Sequence, residues 1–209
     1  GNSDPLAGAV RFAPPPLEPD GVEGAHQARA RQEQGRRNAG PLRLGLDRHI
    51  AVSLAGATII NNLGCNKLLD VGSGGGFPAL PLSLAGVGGH WILVESRRNK
   101  TLFLRRAMQE LAIADMQVIT GRLEVLVEED PEALACDGFT SRATMKLGPT
   151  LMLASAIVQS GGHAILWKGS GFADELLATE ADWQGDWDAP VVHVIGDGPN
   201  SISVCRRKS

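Results

Sequence analysis

The segment Asp70-Val71-Gly72-Ser73-Gly74-Gly75-Gly76-Phe77-Pro78 sets a carboxylate just before five small residues. Without a Cβ, Gly72, Gly74 and Gly76 can take positive φ and let backbone come into contact with a ligand. A helix opening near Phe77 would add free N–H groups suited to a carboxylate or phosphate. Pro78 and Pro81 fit its first turn, where a missing N–H matters least. Glu95 closes the apolar run Ile92–Glu95, and its carboxylate can accept both hydroxyls of a ribose. In Gly121-Arg122-Leu123-Glu124, Leu123 can pack on a flat ring and Glu124 can accept from an exocyclic amine. The other reading of Glu124 is a helix-starting acid that favours the dipole. Arg142 and Lys168 close two later predicted strands and carry cations suited to a phosphate. For Lys168 the alternative is an ion pair with Asp174 or Glu175.

Two cofactors compete for the loop. Gly74-x-Gly76-x-x-Ala79 matches the dinucleotide fingerprint, with Glu95 about 20 residues on. Read from Asp70, the same loop has the acid-x-Gly-x-Gly-x-Gly form of class I S-adenosylmethionine methyltransferases. Asp70 favours the second reading, because a strand-end carboxylate repels a pyrophosphate but can accept from the ammonium of a methionine moiety.

These groups need a scaffold that brings strand ends together. From Lys67 onward the chain alternates short apolar runs with helical stripes. Strands are predicted at Lys67–Val71, Trp91–Glu95, Met116–Thr120, Phe139–Arg142 and His163–Lys168. Helices are predicted at Phe77–Ala85, Arg97–Leu111 and Leu147–Val158. Val191–Ile195 and Ser201–Cys205 flank Gly196-Asp197-Gly198-Pro199-Asn200, a hairpin signal. The expectation is an α/β fold with a mainly parallel sheet, helices on both faces, one antiparallel strand and ligands at the strands' carboxyl ends. Leu46, Ile50, Leu54, Ala57 and Ile60 predict one preceding helix over about 46–61. Residues 1–45 read as a flexible or weakly packed extension, proline-rich over 1–23 and arginine-rich over His26–Asn38, with the main domain at 46–209.

Composition supports this frame. The chain of 209 residues is 43% apolar and 21% charged, which excludes a wholly disordered polymer. No apolar stretch reaches the roughly 20 residues of a spanning helix, and no export leader is visible, so a cytoplasmic protein is expected. Cys65, Cys136 and Cys205 lack disulfide or zinc spacing, and the five histidines lack metal-ligand spacing; no metal is expected. A net charge of −3 argues against coating nucleic acid by bulk charge. Arginines nevertheless concentrate between Arg29 and Arg48, and Arg97, Arg98, Lys100, Arg105 and Arg106 follow without an acid among them. Arg48, His49, Arg97, Arg98 and Lys100 are candidate RNA contacts. Trp167, Trp183 and Trp187 are read as packing residues, with base stacking the alternative.

The loop, in its order, resembles the DVGSGAGFPG signature of the bacterial small-subunit rRNA methyltransferase G family, also called GidB. Leu93-Val94-Glu95-Ser96 with Phe103-Leu104 and Glu110-Leu111 is similar to that family's LVDS, FL and EL segments. Gly121-Arg122-Leu123-Glu124, Ser141-Arg142-Ala143 and Trp167-Lys168-Gly169 resemble its SRVE, SRA and LKG. Arg48-His49-Ile50 with Ser53 resembles its RHILDS, and the likeness covers about residues 47–170. Departures are Val52 where that family has aspartate, Ala79 for the last loop glycine, and Asn99-Lys100 for a basic pair. The resemblance implies a class I, Rossmann-like, seven-stranded methyltransferase fold and transfer from S-adenosylmethionine to N7 of a guanosine in 16S rRNA of the small ribosomal subunit. It carries cofactor contact to Gly72, Phe77, Leu123, Glu124 and Arg142, and places Lys168 in the active cleft. No general base is implied, because N7 already bears an in-plane lone pair. The expected partner is rRNA or the small subunit, bound by a monomer away from membranes.

Overall fold

The computed structural model describes residues 10–11, 41–142, 145–179 and 183–209. One mixed sheet runs through it: β1 (Val10–Arg11), β2 (Lys67–Val71), β3 (His90–Glu95), β4 (Met116–Thr120), β5 (Cys136–Arg142), β6 (Val158–Lys168), β7 (Val191–Val194) and β8 (Ser201–Arg206). Their spatial order is β1-β7-β8-β6-β5-β2-β3-β4. All pairings are parallel except those of β8, which runs antiparallel to both β6 and β7. The seven expected strands are β2 to β8. An eighth, β1, adds to the β7 edge from within the 1–45 extension; the predicted arginine-rich segment His26–Asn38 lies outside the described residues.

β2 is the first strand of the alternating core and pairs with β3 on one side and β5 on the other. The chain therefore reverses its direction of travel across the sheet at β2, and a crevice opens at the carboxyl ends of β2 and β5. Asp70, Gly72 and Arg142 all sit at this point. Strand pleating sends Leu69 and Val71 to one face and Leu68 and Asp70 to the other. The first face packs with Ile92, Phe139, Leu147 and Leu151, and the second layer holds Ile60, Trp91, Leu104 and Trp167. Four of five β2 residues are buried, as expected of a central parallel strand covered on both faces.

The helices are α1 (Pro41–Leu54), α2 (Ala57–Leu63), α3 (Ala79–Leu84), α4 (Arg98–Glu110), α5 (Leu123–Glu129), α6 (Leu147–Ser155) and α7 (Phe172–Ala178). The single helix expected over about 46–61 is broken into α1 and α2. The break sits at Gly56, where an added Cβ would lie 2.5 Å from Trp167 Cζ2. Trp167 Nε1 also donates to Val52 O at 2.8 Å, so the β6 indole fixes both the break and the end of α1. Leu46 and Leu54, two members of the stripe that predicts this helix, are exposed. Helix α6 stops at Ser155 and β6 starts at Val158, earlier than the expected His163. The short α7 escaped prediction because its seven residues carry too little periodic signal.

Gly56→Ala should cost about 1–3 kcal/mol through overpacking against Trp167. Urea unfolding of the two proteins checks this, and an unchanged midpoint would show that Trp167 does not set the break.

Candidate cofactor and substrate site

The glycine turn is held by backbone bonds that only small residues permit. Gly72 N donates to Val94 O at 2.8 Å, tying the turn to the neighbouring strand, and Ser73 Oγ donates to Asp70 O at 2.9 Å. Gly72, Gly74 and Gly76 take φ of +68°, +54° and +87°. At Gly76 a Cβ would also lie 2.2 Å from Leu80 Cδ1, so both conformation and space demand glycine. Glu95, at the end of β3, is buried. Its Oε2 accepts from Gly74 N at 3.0 Å and its Oε1 from Arg97 N at 2.9 Å. It thus splints the turn to the start of α4 through backbone amides, not through the Arg97 or Arg98 side chains. Each carboxylate oxygen keeps a further lone pair for a ligand hydroxyl.

Asp70 is 1% exposed. Thr140 lies directly across from it in the β2–β5 register, and Thr140 Oγ1 donates to Asp70 Oδ1 at 2.8 Å. Asp70 Oδ2 is buried and has no partner within the protein. Burial is the main cause that raises this carboxyl to about 7, with nearby Glu95 adding and Ser73, Thr140 and Arg142 opposing. An unpartnered buried oxygen is costly and marks a place where a ligand donor fits.

Beside the turn, a cavity of about 230 Å³ is lined by Gly72, Val94, Ser96, Leu123, Glu124 and Met145, among others. Buried Leu123 forms part of its wall. Glu124 is exposed in the first turn of α5, where an acid favours the helix dipole, and it also borders the cavity. Cavity, glycine turn and Asp70 fit a nucleoside joined to a short cationic tail.

A second cavity of about 430 Å³ adjoins the crevice, with Arg48, His49, Arg142, Trp167 and Lys168 in its wall. Val71 pairs with Ser141, so Gly72 and Arg142 leave the sheet side by side. The Arg142 guanidinium bonds His49 Nδ1 and lies 5.9 Å from the Phe77 ring centroid. The His49 and Phe77 rings are 5.4 Å apart, closing a three-residue cluster over the turn. Burial lowers the Arg142 pKa, Asp70 counters that, and Arg48 adds to it. Lys168 Nζ pairs with Glu175 Oε1 at 3.0 Å, yet it still lines the cavity.

Arg97, Arg98 and Lys100 are exposed around the start of α4, and Lys100 Nζ approaches Gly74. Arg105 and Arg106 are engaged locally, with Val118 O and Glu110. Trp167, Trp183 and Trp187 are buried, which leaves them packing residues. All three cysteines are buried, and burial pushes each thiol up to about 12, unsuited to nucleophilic attack. Among the described residues, no group of three His, Cys, Asp or Glu could hold a metal ion. No helix among them is long and apolar enough to cross a membrane. Thr140, Ser96 and Met145 escaped the sequence analysis. Thr140 joins the site by register, for which the sequence carries no local signal.

"Ribosomal RNA small subunit methyltransferase G" of Syntrophus aciditrophicus is 36% identical over 110 residues, covering 53% of this chain and 46% of that protein. The protein of the same name from Rhizorhabdus wittichii is 34% identical over 140 residues, covering 67% and 63%. The chain spans about half the length of the first curated relatives it matches. Among solved structures, an O-methyltransferase from Bacillus cereus in complex with SAH matches with a TM-score of 0.60 at 13% identity, covering 92% of each chain. That likeness gives the class I, Rossmann-like methyltransferase fold. The model of the GidB family, rRNA small subunit methyltransferase G, matches residues 42–197, and the chain belongs to that family.

Proposed function

We propose that this chain is an S-adenosylmethionine-dependent methyltransferase acting on N7 of a guanosine in 16S rRNA of the small ribosomal subunit. Residues 46–209 serve as the catalytic domain and 1–45 as its extension, working in the cytoplasm as a monomer without a metal. Family membership supports the reading, and one observation carries it: strand register sets Arg142, from the wall of the cationic cavity, beside Gly72, from the wall of the glycine-turn cavity.

The donor supplies a methyl group on a cationic sulfur. Asp70 Oδ2 accepts from the donor's ammonium, and the glycine turn, with no side chains at Gly72, Gly74 and Gly76, lets the donor's polar end come close to the backbone. Glu95 adds a ribose contact to the backbone bonds it already holds. Leu123 packs on the adenine and Glu124 accepts from its amine, while Phe77 closes the turn. Arg142 and Lys168 hold the guanine O6 edge or an adjoining phosphate, and Arg48, His49, Arg97, Arg98 and Lys100 meet the RNA around it. Guanine N7 needs no base to prepare it, which suits a cleft whose His49 is engaged with Arg142. Alignment of nucleophile and methyl can supply about 7–11 kcal/mol.

Methyl transfer to unmethylated 30S subunits, naked 16S rRNA and small-molecule or protein acceptors tests the reading. Label at guanine N7 in rRNA is the expected result. Label only on another acceptor would replace the substrate, and 30S binding without transfer would indicate an assembly factor. Arg142→Ala should lower transfer at least about 100-fold, roughly 2.7 kcal/mol, with little change in melting temperature.

Asp70 gives a pH test. Its folded-state carboxyl titrates at about 7 against an ordinary 3.8. The stability from its protonated form is therefore lost as pH rises from about 4 to about 7. A ligand ammonium favours the charged form, so donor affinity should rise with pH, by up to tenfold per unit, as pH climbs toward about 7. Asp70→Asn should flatten that slope in calorimetry; an unchanged slope would remove Asp70 from the ammonium site. Replacing Arg97, Arg98 and Lys100 together by alanine should cut the salt slope of RNA binding by roughly 2.

A further inference from the structure

The Lys168–Glu175 ion pair links the walls of the two cavities. Lys168 ends β6 and lines the cationic cavity, while Met145 borders the glycine-turn cavity. Lys168 Nζ reaches Met145 O at 3.4 Å and Glu175 Oε1 at 3.0 Å, with Phe172 5.9 Å away. The same Glu175 Oε1 accepts from the amide of Leu147, the first residue of α6. The side chains are 11% and 19% exposed, so this is a largely desolvated pair and not a solvated surface contact. Glu175 is in the first turn of α7, and Glu175 N donates to Gly171 O at 3.2 Å. One carboxylate oxygen therefore fixes both the Lys168 ammonium and the start of α6.

Flexible lysines lose orientation unless a partner restrains them, since an ammonium is a point charge on a four-carbon stem. We infer that Glu175 is a positioning residue that holds the Lys168 ammonium toward the acceptor base, so that its loss slows methyl transfer without weakening donor or RNA binding. The inference rests on the proposed reaction for its kinetic consequence, and on the ion pair alone for its structural one. Glu175 touches neither cavity's occupant and acts only through Lys168 and the Met145–Leu147 segment. Glu175→Gln keeps an acceptor for the Leu147 amide and removes the charge. Asp174 is exposed on the same turn, so Asp174→Asn makes the same charge change without touching Lys168.

The test uses the full chain, with S-adenosylhomocysteine titration, single-turnover transfer to unmethylated 30S subunits, and lysine acetylation followed by mass spectrometry. Glu175→Gln should keep S-adenosylhomocysteine and 30S affinity within about twofold while the transfer rate falls at least tenfold. Lys168 acetylation should rise at least fivefold in Glu175→Gln and stay unchanged in Asp174→Asn. The Lys168→Gln/Glu175→Gln double variant should be no slower than the slower single variant, because both changes remove one interaction. Wild-type transfer by Glu175→Gln, multiplied losses in the double variant, or unchanged Lys168 labelling would overturn the inference. If the wild-type chain transfers nothing to 30S, the proposed reaction fails, and labelling alone then decides whether Glu175 restrains Lys168.

Discussion

A carboxylate buried at the point where the sheet changes direction governs this structure. Asp70 keeps one oxygen on Thr140 and leaves the other without a protein partner, at 1% exposure. Burying such a group costs free energy, and the fold meets the cost through a raised pKa and one threonine hydroxyl. The glycine turn wraps it closely because Gly72, Gly74 and Gly76 adopt backbone angles that other residues resist. What is destabilising for the protein alone becomes a place where a cationic donor is worth more than in water.

Glu95 shows how the same turn is braced from its outer side. Both oxygens of its carboxylate take backbone amides, one from the turn and one from the start of α4. A group at this strand end reads from sequence as a ligand acceptor. Its geometry makes it first a brace, and any ribose contact would add to bonds already formed. Ligand binding and loop order are in this way coupled through one side chain.

The cationic cavity depends on an element outside the alternating core. Helix α1 carries Arg48 and His49 and is pinned to the sheet by the Trp167 indole. Val52, where the resembling family has aspartate, supplies the carbonyl that takes this bond. Across the crevice, His49, Arg142 and Phe77 join the helix to the turn. The cationic cavity is thus walled by separate stretches of chain, with Arg48 and His49 of α1, Arg142 at the end of β5 and Lys168 at the end of β6.

Local pattern alone determined a good deal. The runs Lys67–Val71 and Met116–Thr120 have strand bounds that the structure repeats, because each is a short run stopped by a glycine, Gly72 or Gly121. The glycine turn and the hairpin at 196–200 were equally legible, since each needs special residues at fixed offsets. Helix bounds were less so: the break at Gly56 comes from an indole more than a hundred residues away along the chain. Tertiary structure decided the rest. Register put Thr140 against Asp70, strand order put Arg142 beside Gly72, and packing brought Glu175 to Lys168. Such contacts arise from which strands become neighbours, and no stretch of sequence encodes that by itself.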